Sequence, residues 1–509
     1  MKNLLLTLTV ALFSLPLMSQ PNIAWQKSYG GTGRDFAKSV IQTNDGGYIV
    51  LGETGSVDGD ISGNLGAKTL WVLKISSSGA IEWQKLFGDP DYLYTAMNIR
   101  QTSDGGYILM SWQTKPFVSS VPYESAIWVL KLNDTGIVEW ENTPSGLIYP
   151  YDGAIRQTTD GGYILTTTAR MDSMIFNDDI YIVKLNTLGE ILWQKHYGGS
   201  LRDYSTDIQQ TNDGGYIVVG GSESKDGDVI GSNLMSEFDF WVVRLDHLGE
   251  LLWQKTFDGI DSDIARSIQE TVDGGFIVAG DMAGEYGLQV PFYNTLILKL
   301  NSVGAMEWQK TLEGSGKIHL RAIRQTNDGS YIAFGETSSF DGDVIENYGF
   351  TDCWVLKLSE TGETKWLKIL GGSGEDFGRS IEQTVDGGYI LAGITDSFDG
   401  DVTENAGLLD AWIIKLSPES VPTAAPSTQA GTLQLFPNPA QQSITITLPE
   451  TEVAFYLSIT DVLGQELSRQ TMQNGTPLDV SALPNGIYCA TAFTSAGKVF
   501  VRKFNIQKG

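Results

Sequence analysis

Ile41-Gln42-Thr43-Asn44-Asp45-Gly46-Gly47-Tyr48-Ile49-Val50 is an apolar run, an Asp-Gly turn and a second apolar run. That pattern is the strongest short-range signal for a β-hairpin. The phrase returns with its Asp-Gly at Asp104, Asp160, Asp213, Asp273, Asp328 and Asp386, so there are seven copies, spaced by 59, 56, 53, 60, 55 and 58 residues. Self-similarity at such a period points to a solenoid, a propeller or an array.

Outward from the hairpin, each repeat predicts four strands. In the first copy, strand a is Phe36 to Thr43 and strand b is Tyr48 to Gly52. A longer loop leads to strand c, Leu70 to Ile75, and a Ser-Ser-Ser-Gly turn to strand d, Ala80 to Lys85. Strands b and c are apolar at successive positions, which requires both faces to be buried. Strand d alternates, with Ile81 and Trp83 on one face and Glu82 and Gln84 on the other, as a half-buried edge strand does. Such a sheet is a propeller blade. The seventh repeat stops after strand c at Trp412-Ile413-Ile414-Lys415, and its missing d strand stands at the other end as Ile23-Ala24-Trp25-Gln26-Lys27. Pairing the two closes a ring and removes two open sheet edges. The expectation is an all-β, seven-bladed propeller of four-stranded blades over residues 20–417.

Met1-Lys2-Asn3 followed by Leu4 to Leu17 reads as a secretory signal peptide over residues 1–19, and no later run is apolar enough to span a bilayer. The formal net charge is −27, and the surplus sits within residues 21–417 because the last part of the chain balances. A field of that sign argues against nucleic acid or an anionic membrane as partner and favours cations, with solubility as the simpler reading. Two cysteines, Cys353 and Cys489, form no disulfide framework, so the fold rests on its apolar core.

Residues 418–430 are rich in Pro, Ser, Thr and Ala, a linker composition. Short alternating runs from residue 431 to 509 then predict a small β-sandwich. Leu435-Phe436-Pro437-Asn438-Pro439-Ala440, Asp461-Val462-Leu463-Gly464-Gln465, Leu483-Pro484-Asn485-Gly486-Ile487-Tyr488 and Arg502-Lys503-Phe504 follow one another in this tail. Together they resemble the C-terminal sorting domain of cargo of the type IX secretion system. The resemblance implies an Ig-like sandwich, export through the periplasm of a Gram-negative bacterium, and a secreted or surface-held product whose partner is the secretion machinery. It also implies sorting roles for Pro437, Asn438, Pro439, Asp461, Gly464, Gly486, Tyr488 and Lys503. The repeats look like uncharacterised Trp-Gln-Lys/Asp-Gly-Gly propeller repeats carried by such cargo, a likeness that brings no activity with it.

Chemistry is harder to read. His196, His247 and His319 fall at unrelated repeat positions, so no zinc spacing arises. No nucleophile elbow or phosphate-cradling loop stands out. Asp-Gly-Asp recurs in the b–c loops at Asp58/Asp60, Asp226/Asp228, Asp341/Asp343 and Asp399/Asp401, and an Asp precedes strand a at Asp35, Asp203, Asp263 and Asp376. Both loops belong to one face of an up-and-down blade. Blades one, four and seven would therefore gather Asp35, Asp58 and Asp60, then Asp203, Asp226 and Asp228, then Asp376, Asp399 and Asp401. Three carboxylates with backbone carbonyls suit calcium; hairpin-like Asx turns are the simpler reading.

A second register lies five residues before each Gln-Thr threonine or its equivalent: Lys38, Met97, Gly153, Thr206, Arg266, Arg321 and Arg379. Lys38, Arg266, Arg321 and Arg379 belong to adjacent blades of a closed ring. Either they form salt bridges to the loop aspartates, or they form a basic arc that holds an acidic sugar or another anion. The residues favour a non-catalytic surface module for glycan or protein binding. The alternative is a secreted polysaccharide hydrolase or lyase using loop-face carboxylates, and the fold alone does not decide between them.

Overall fold

The computed structural model describes residues 20–64, 68–115, 125–145, 147–170, 177–231, 238–257, 262–283, 293–344, 347–419, 433–448, 454–460, 466–494 and 499–508. The expected signal peptide, most of the expected linker, and Asp461 and Gly464 of the tail lie outside the described residues. The chain divides into two compact units, Met1–Ser420 and Val421–Gly509.

Each copy of the repeated phrase is a hairpin. In the first, strand a (Asp35–Gln42) pairs antiparallel with strand b (Tyr48–Thr54). The Thr43 hydroxyl and the Gly47 amide both donate to Asp45 Oδ1. Gly46 takes a φ of +83°, a left-handed conformation in which a side chain is strained. Strand c (Thr69–Ile75) and strand d (Ile81–Phe87) complete the sheet. Strand b is buried throughout and strand c after its first residue, as their unbroken apolar character requires. Strand d is half-buried, with Ile81 at its exposed end.

Strand c hides one cation in each sheet. Lys74 is buried, and its ammonium reaches back to the turn carboxylate of Asp45 at 2.9 Å. The pairing recurs in the six other sheets, as Lys131–Asp104, Lys184–Asp160, Arg244–Asp213, Lys299–Asp273, Lys357–Asp328 and Lys415–Asp386, over 2.5–3.3 Å. The turn aspartate therefore sets the hairpin and also compensates a charge that strand c could not bury alone.

Among the described residues, seven four-stranded antiparallel sheets occupy the first unit. The inner strands of sheets 2 to 7 are Leu93–Gln101, Ile148–Gln157, Asp203–Gln210, Asp263–Glu270, Ile318–Gln325 and Asp376–Gln383. Sheet 7 takes its d strand from the start of the chain: Ile23–Tyr29 pairs antiparallel with Asp410–Leu416. The Trp412 indole donates to Gln26 Oε1 across this seam at 2.7 Å.

Two devices repeat at every junction between sheets, including the one from sheet 7 back to sheet 1. The first is a ring of side-chain oxygens, six from glutamine and one from Glu270. The turn amides of Asn44, Ser103, Thr159, Asn212, Val272, Asn327 and Val385 donate to Gln101, Gln157, Gln210, Glu270, Gln325, Gln383 and Gln42 of the next sheet, at 2.8–2.9 Å. The second is aromatic. Trp25, Trp83, Trp140, Trp193, Trp253, Trp308 and Trp366 each meet the first aromatic ring of the next strand b edge-on, with centroids 5.5–6.3 Å apart. The Gln-Thr and Trp-Gln-Lys phrases are thus the stitches between sheets, and the arrangement is propeller-like. The core lies between sheets: Tyr29, Ala411 and Ile413 of sheet 7 bury one cluster with Val40, Tyr48 and Trp71 of sheet 1.

The second unit has a four-stranded sheet, ordered Glu466–Gln473, Ala454–Thr460, Gly486–Thr494, Val499–Ile506, and a three-stranded one, ordered Gln434–Phe436, Ser443–Thr447, Pro477–Asp479. Leu435 and Ile446 of one sheet share a core with Leu457, Tyr488, Phe504 and Ile506 of the other. Among the described residues there is no helix, and none long and apolar enough to cross a membrane.

Candidate functional site

All seven inner strands carry the same irregularity. In sheet 1, Ala37 pairs with Gly52 and Ser39 with Leu51, so Lys38 is an extra residue, a β-bulge. Met97, Thr206, Arg266, Arg321 and Arg379 are the extra residues of sheets 2, 4, 5, 6 and 7. In sheet 3 the bulge falls one residue earlier than the sequence register places it, on Asp152 instead of Gly153, and Asp152 has a φ of +55°. A bulge takes its side chain out of the pleat and re-aims it. The seven side chains line one lumen of about 140 Å³. The four basic residues of the sequence register, Lys38, Arg266, Arg321 and Arg379, are therefore brought together.

Their partners differ from the loop aspartates that the sequence suggests. Arg321 forks onto Glu336, which lies fifteen residues on in strand b, and Arg379 meets the same Glu336 at 3.3 Å. Arg266 pairs with Asp281, again fifteen residues on, at 3.0 Å, and with Asp152 at 3.7 Å. The reason is geometric: the bulge directs these side chains into the lumen and away from the loops. Burial opposes the charge of Arg321, but Glu336 outweighs it and holds the guanidinium more firmly charged than usual. Burial likewise opposes ionisation of Asp281, but Arg266 and His319 hold its carboxyl well below the usual range.

Lys38 breaks this pattern. Its equivalent acid, fifteen residues on, is Glu53. That carboxylate instead binds Lys68 at 2.5 Å and accepts the Ala96 amide at 2.7 Å. Lys38 is solvent-accessible although surrounded by protein, as befits a side chain standing in a lumen. Burial, with Arg379 and Arg321 adding to it, pushes its ammonium down in pKa, against a pull from Asp152. Arg100, Arg156 and Arg324 also line the lumen; they are tied to Glu382 and Asp207. A second cavity, of about 290 Å³, opens between sheets 6 and 7 and shares Arg321 and Arg379 with the lumen.

The loop aspartates serve as clamps. Asp35 is buried and accepts Thr54 Oγ1 at 2.5 Å, Ser56 Oγ at 2.6 Å and the Gly31 amide at 2.8 Å. Asp203 is held by Ser222, Ser224 and Gly199, and Asp376 by Ser397 and Gly372. Asp58, Asp226 and Asp399 accept the amides of Thr32, Ser200 and Ser373, each at 2.7 Å. Asp60, Asp228 and Asp401 accept those of Gly30, Gly198 and Gly371 at 3.2–3.3 Å. Gly59 between the two aspartates has φ +67°, and a Cβ there would lie 2.3 Å from Gly30 O, so the close loop contact demands glycine.

Sequence reasoning missed a third set. Asp179, the second residue of strand c in sheet 3, and Asp352 and Asp410, which open strand c of sheets 6 and 7, lie against Asp203, Asp376 and Asp35 of the following sheet. The available signal was an Asp five residues before the buried strand-c lysine, present in some repeats only. Burial, increased by the neighbouring carboxylates, pushes Asp179 up to about 7, and Asp352 and Asp410 up to about 6. Burial also raises Asp203 to about 6 despite its hydroxyl donors.

These shifts set a pH profile. A carboxyl raised in the folded state holds a proton that the unfolded chain has released above about pH 4, so stability falls as pH rises from about 4 to 7. The turn aspartates act oppositely. Hydrogen bonds and the strand-c lysines outweigh burial and depress Asp45, Asp104 and Asp273 to about 2, so their contribution is present above about pH 4 and lost as pH falls toward 2. In a chelating buffer the urea midpoint should therefore peak near pH 5 and be lower at both pH 3 and pH 8. A midpoint that climbs steadily from pH 5 to pH 8 would contradict the assignment.

In the tail, the Asn438 side chain accepts the Asn505 amide at 2.8 Å, and the Tyr488 hydroxyl donates to Pro484 O at 2.9 Å. Pro437 and Pro439 flank that asparagine, Gly486 lies against the Tyr488 ring, and Lys503 is exposed.

Residues 434–507 match the family described as "Secretion system C-terminal sorting domain". That domain marks the chain as exported, secreted or held at the cell surface, with the type IX secretion machinery as a partner. No curated protein matches the chain. Among solved structures it is similar to the Neurospora crassa Pan2 WD40 domain, at 9% identity and TM-score 0.41, covering 76% of this chain and 90% of that one. It is also similar to a Penicillium chrysogenum α-L-arabinanase complexed with arabinobiose, at 8% identity and TM-score 0.39, covering 76% and 98%. A third likeness is to a Fusarium graminearum GH93 α-L-arabinofuranosidase, at 7% identity and TM-score 0.38, covering 77% and 98%.

Proposed function

We propose that the chain is an exported seven-bladed β-propeller (residues 20–417), joined by a linker (418–430) to an Ig-like sorting sandwich (431–509), and that its lumen binds the anionic group of an acidic glycan without catalysing a reaction on it. The observation that carries the reading is Lys38. Of the described basic residues lining the lumen, it is the one whose ammonium has no acidic partner, because Glu53 is drawn away by Lys68. An anion there gains a charge-assisted hydrogen bond and displaces no existing ion pair. The neighbouring cavity between sheets 6 and 7 offers room for the rest of the saccharide, with Arg321 and Arg379 common to both.

The non-catalytic part of the reading is supported by the state of the lumen acids. Asp152 and Asp207, the acids among the described residues that line the lumen, are each paired with arginine, as are Glu336, Asp281 and Glu382 around it, so the described lumen lining holds no uncommitted carboxylate pair to serve as general acid and base. The test is an array of carboxylated and sulfated oligosaccharides beside their neutral counterparts, followed by a titration of the best binder at rising salt. Binding confined to the anionic members, and weakening with salt, is expected. Equal binding of neutral counterparts, or release of cleaved sugar, would overturn the reading; binding only to an acidic protein would move the ligand class.

Export provides a separate check. Deleting residues 431–509 should leave the protein in the periplasm, read by cell fractionation. Undiminished delivery to the surface or medium would contradict the role of the tail.

A further inference from the structure

The aspartates of strand c and strand a are coupled across the sheet junctions. Asp179, Asp239, Asp352 and Asp410 each stand five residues before the buried strand-c cation, and each is followed on the next sheet by an Asp opening strand a: Asp203, Asp263, Asp376 and Asp35. The equivalent positions at the other junctions carry Thr69 before Tyr94, Ala126 before sheet 3, and Asn294 before Ile318. Around the ring the two acids are present together or absent together. Two buried carboxylates side by side repel each other. The Oδ2 atoms of Asp352 and Asp410 accept the loop amides of Tyr348 and Ala406, but these bonds leave the repulsion within each pair uncompensated.

At three of these junctions the geometry is fully described. A Cβ placed on Gly30 would lie 2.5 Å from both Asp35 Oδ2 and Asp410 Oδ1. On Gly198 it would lie 2.7 Å from Asp203 Oδ2 and 2.3 Å from Asp179 Oδ1, and on Gly371, 2.8 Å from Asp376 Oδ2 and 2.1 Å from Asp352 Oδ1. The paired oxygens thus face each other across a glycine, no more than about 5 Å apart, a gap that a calcium ion with bonds of about 2.4 Å spans. Asp410, Asp179 and Asp352 are 1%, 7% and 0% exposed, and the Oδ1 atom of each is buried with no hydrogen-bond partner. The amide of the same glycine is held by a further carboxylate, that of Asp60, Asp228 or Asp401.

We propose that the pairs Asp410–Asp35, Asp179–Asp203 and Asp352–Asp376 are three copies of one calcium-class cation site that clasps adjacent blades. The cation neutralises the repulsion, satisfies the orphaned Oδ1 atoms and links consecutive sheets on the loop face. Among the described residues no group of three or more His, Cys, Asp or Glu side chains stands ready around a metal. Each pair therefore supplies two ligands, and backbone oxygen and water complete the shell, which calcium's tolerant six- to eight-fold coordination accommodates. The rival occupant is a proton shared within each pair, which requires oxygens about 2.5–2.7 Å apart.

The test uses the full chain, stripped with chelator and titrated with calcium by calorimetry and equilibrium dialysis at pH 8. At least three ions should bind per chain, and saturating calcium should raise the Tm by more than about 5 °C. Asp410→Asn, Asp179→Asn and Asp352→Asn should each remove one ion, while Asp58→Asn, which alters only the cap on Thr32, should remove none. Fewer than three ions on the wild-type chain, or a stoichiometry unchanged in all three pair variants, overturns the proposal. So does a Tm that follows pH alone and ignores both calcium and chelator, which is the signature of shared protons.

Discussion

A chain lacking residues 20–29 should fail to form a stable monomer. Those residues include the d strand of sheet 7, and without them the strand Asp410–Leu416, buried along its whole length, becomes an open edge. The same deletion removes Trp25 from Tyr48, Tyr29 from the shared cluster of sheets 7 and 1, and the Gln26 acceptor from Trp412. Removing a packed tryptophan alone costs about 3 kcal/mol or more, a large part of the net stability of a typical domain. The loss of a strand, its ladder and the junction together should exceed that stability. The expected result is aggregation, or non-cooperative melting, in circular dichroism and light scattering. A deletion variant that melts cooperatively at the wild-type temperature would mean that the seam does not close the ring. Trp25→Ala is the graded version and should cost about as much as Trp253→Ala at an internal junction, since both rings meet the next sheet in the same way.

Replacing Lys38 by Met should lower affinity for the acidic glycan roughly 10- to 100-fold while leaving the melting temperature almost unchanged. The magnitude is that of one charge-assisted hydrogen bond, about 1.5–3 kcal/mol. The small effect on stability follows because Lys38 makes no ion pair whose loss would strand a buried acid. Arg321→Met should behave differently, destabilising the fold by leaving Glu336 with Arg379 alone. Lys68→Met should also weaken binding, though Lys68 does not line the lumen. It frees Glu53 to take the position that Glu336 holds toward Arg321, and Lys38 then acquires an internal partner. Unchanged affinity in Lys38→Met would remove the lumen from the account; unchanged affinity in Lys68→Met alone would remove only the explanation of why Lys38 is uncommitted.

Much of the fold is legible in the residues, since the Asp-Gly turn, the alternation of strand d and the missing last strand are all local patterns. The role of the repeated phrase is only half legible. Its turn can be read from Asp45 and Gly46, but the glutamine that stitches one sheet to the next acts between residues more than fifty apart. The buried lysine of strand c is similar: Lys74 has no place in an apolar strand until Asp45 is seen against it. In the lumen, the basic register was visible at Lys38, Arg266, Arg321 and Arg379, but the bulge that aims it was not. The sheet 3 member consequently fell on Gly153 instead of Asp152. The loop aspartates show the reverse difficulty. Asp-Gly-Asp is conspicuous as a motif, whereas Asp179, Asp352 and Asp410 read only as acids at the start of a strand until the junction places them against Asp203, Asp376 and Asp35.

The most direct measurement of the lumen's role is amine acetylation of the full chain, with and without a saturating acidic oligosaccharide, read by mass spectrometry at each lysine. Burial lowers the pKa of Lys38 and so favours its reactive free amine over that of an ordinary lysine, and its modification should be suppressed several-fold by the bound glycan. Lys255, exposed on an outer strand, should be modified equally in both samples. Equal acetylation of Lys38 with and without the glycan, under conditions where binding is confirmed, would place the ligand elsewhere on the protein.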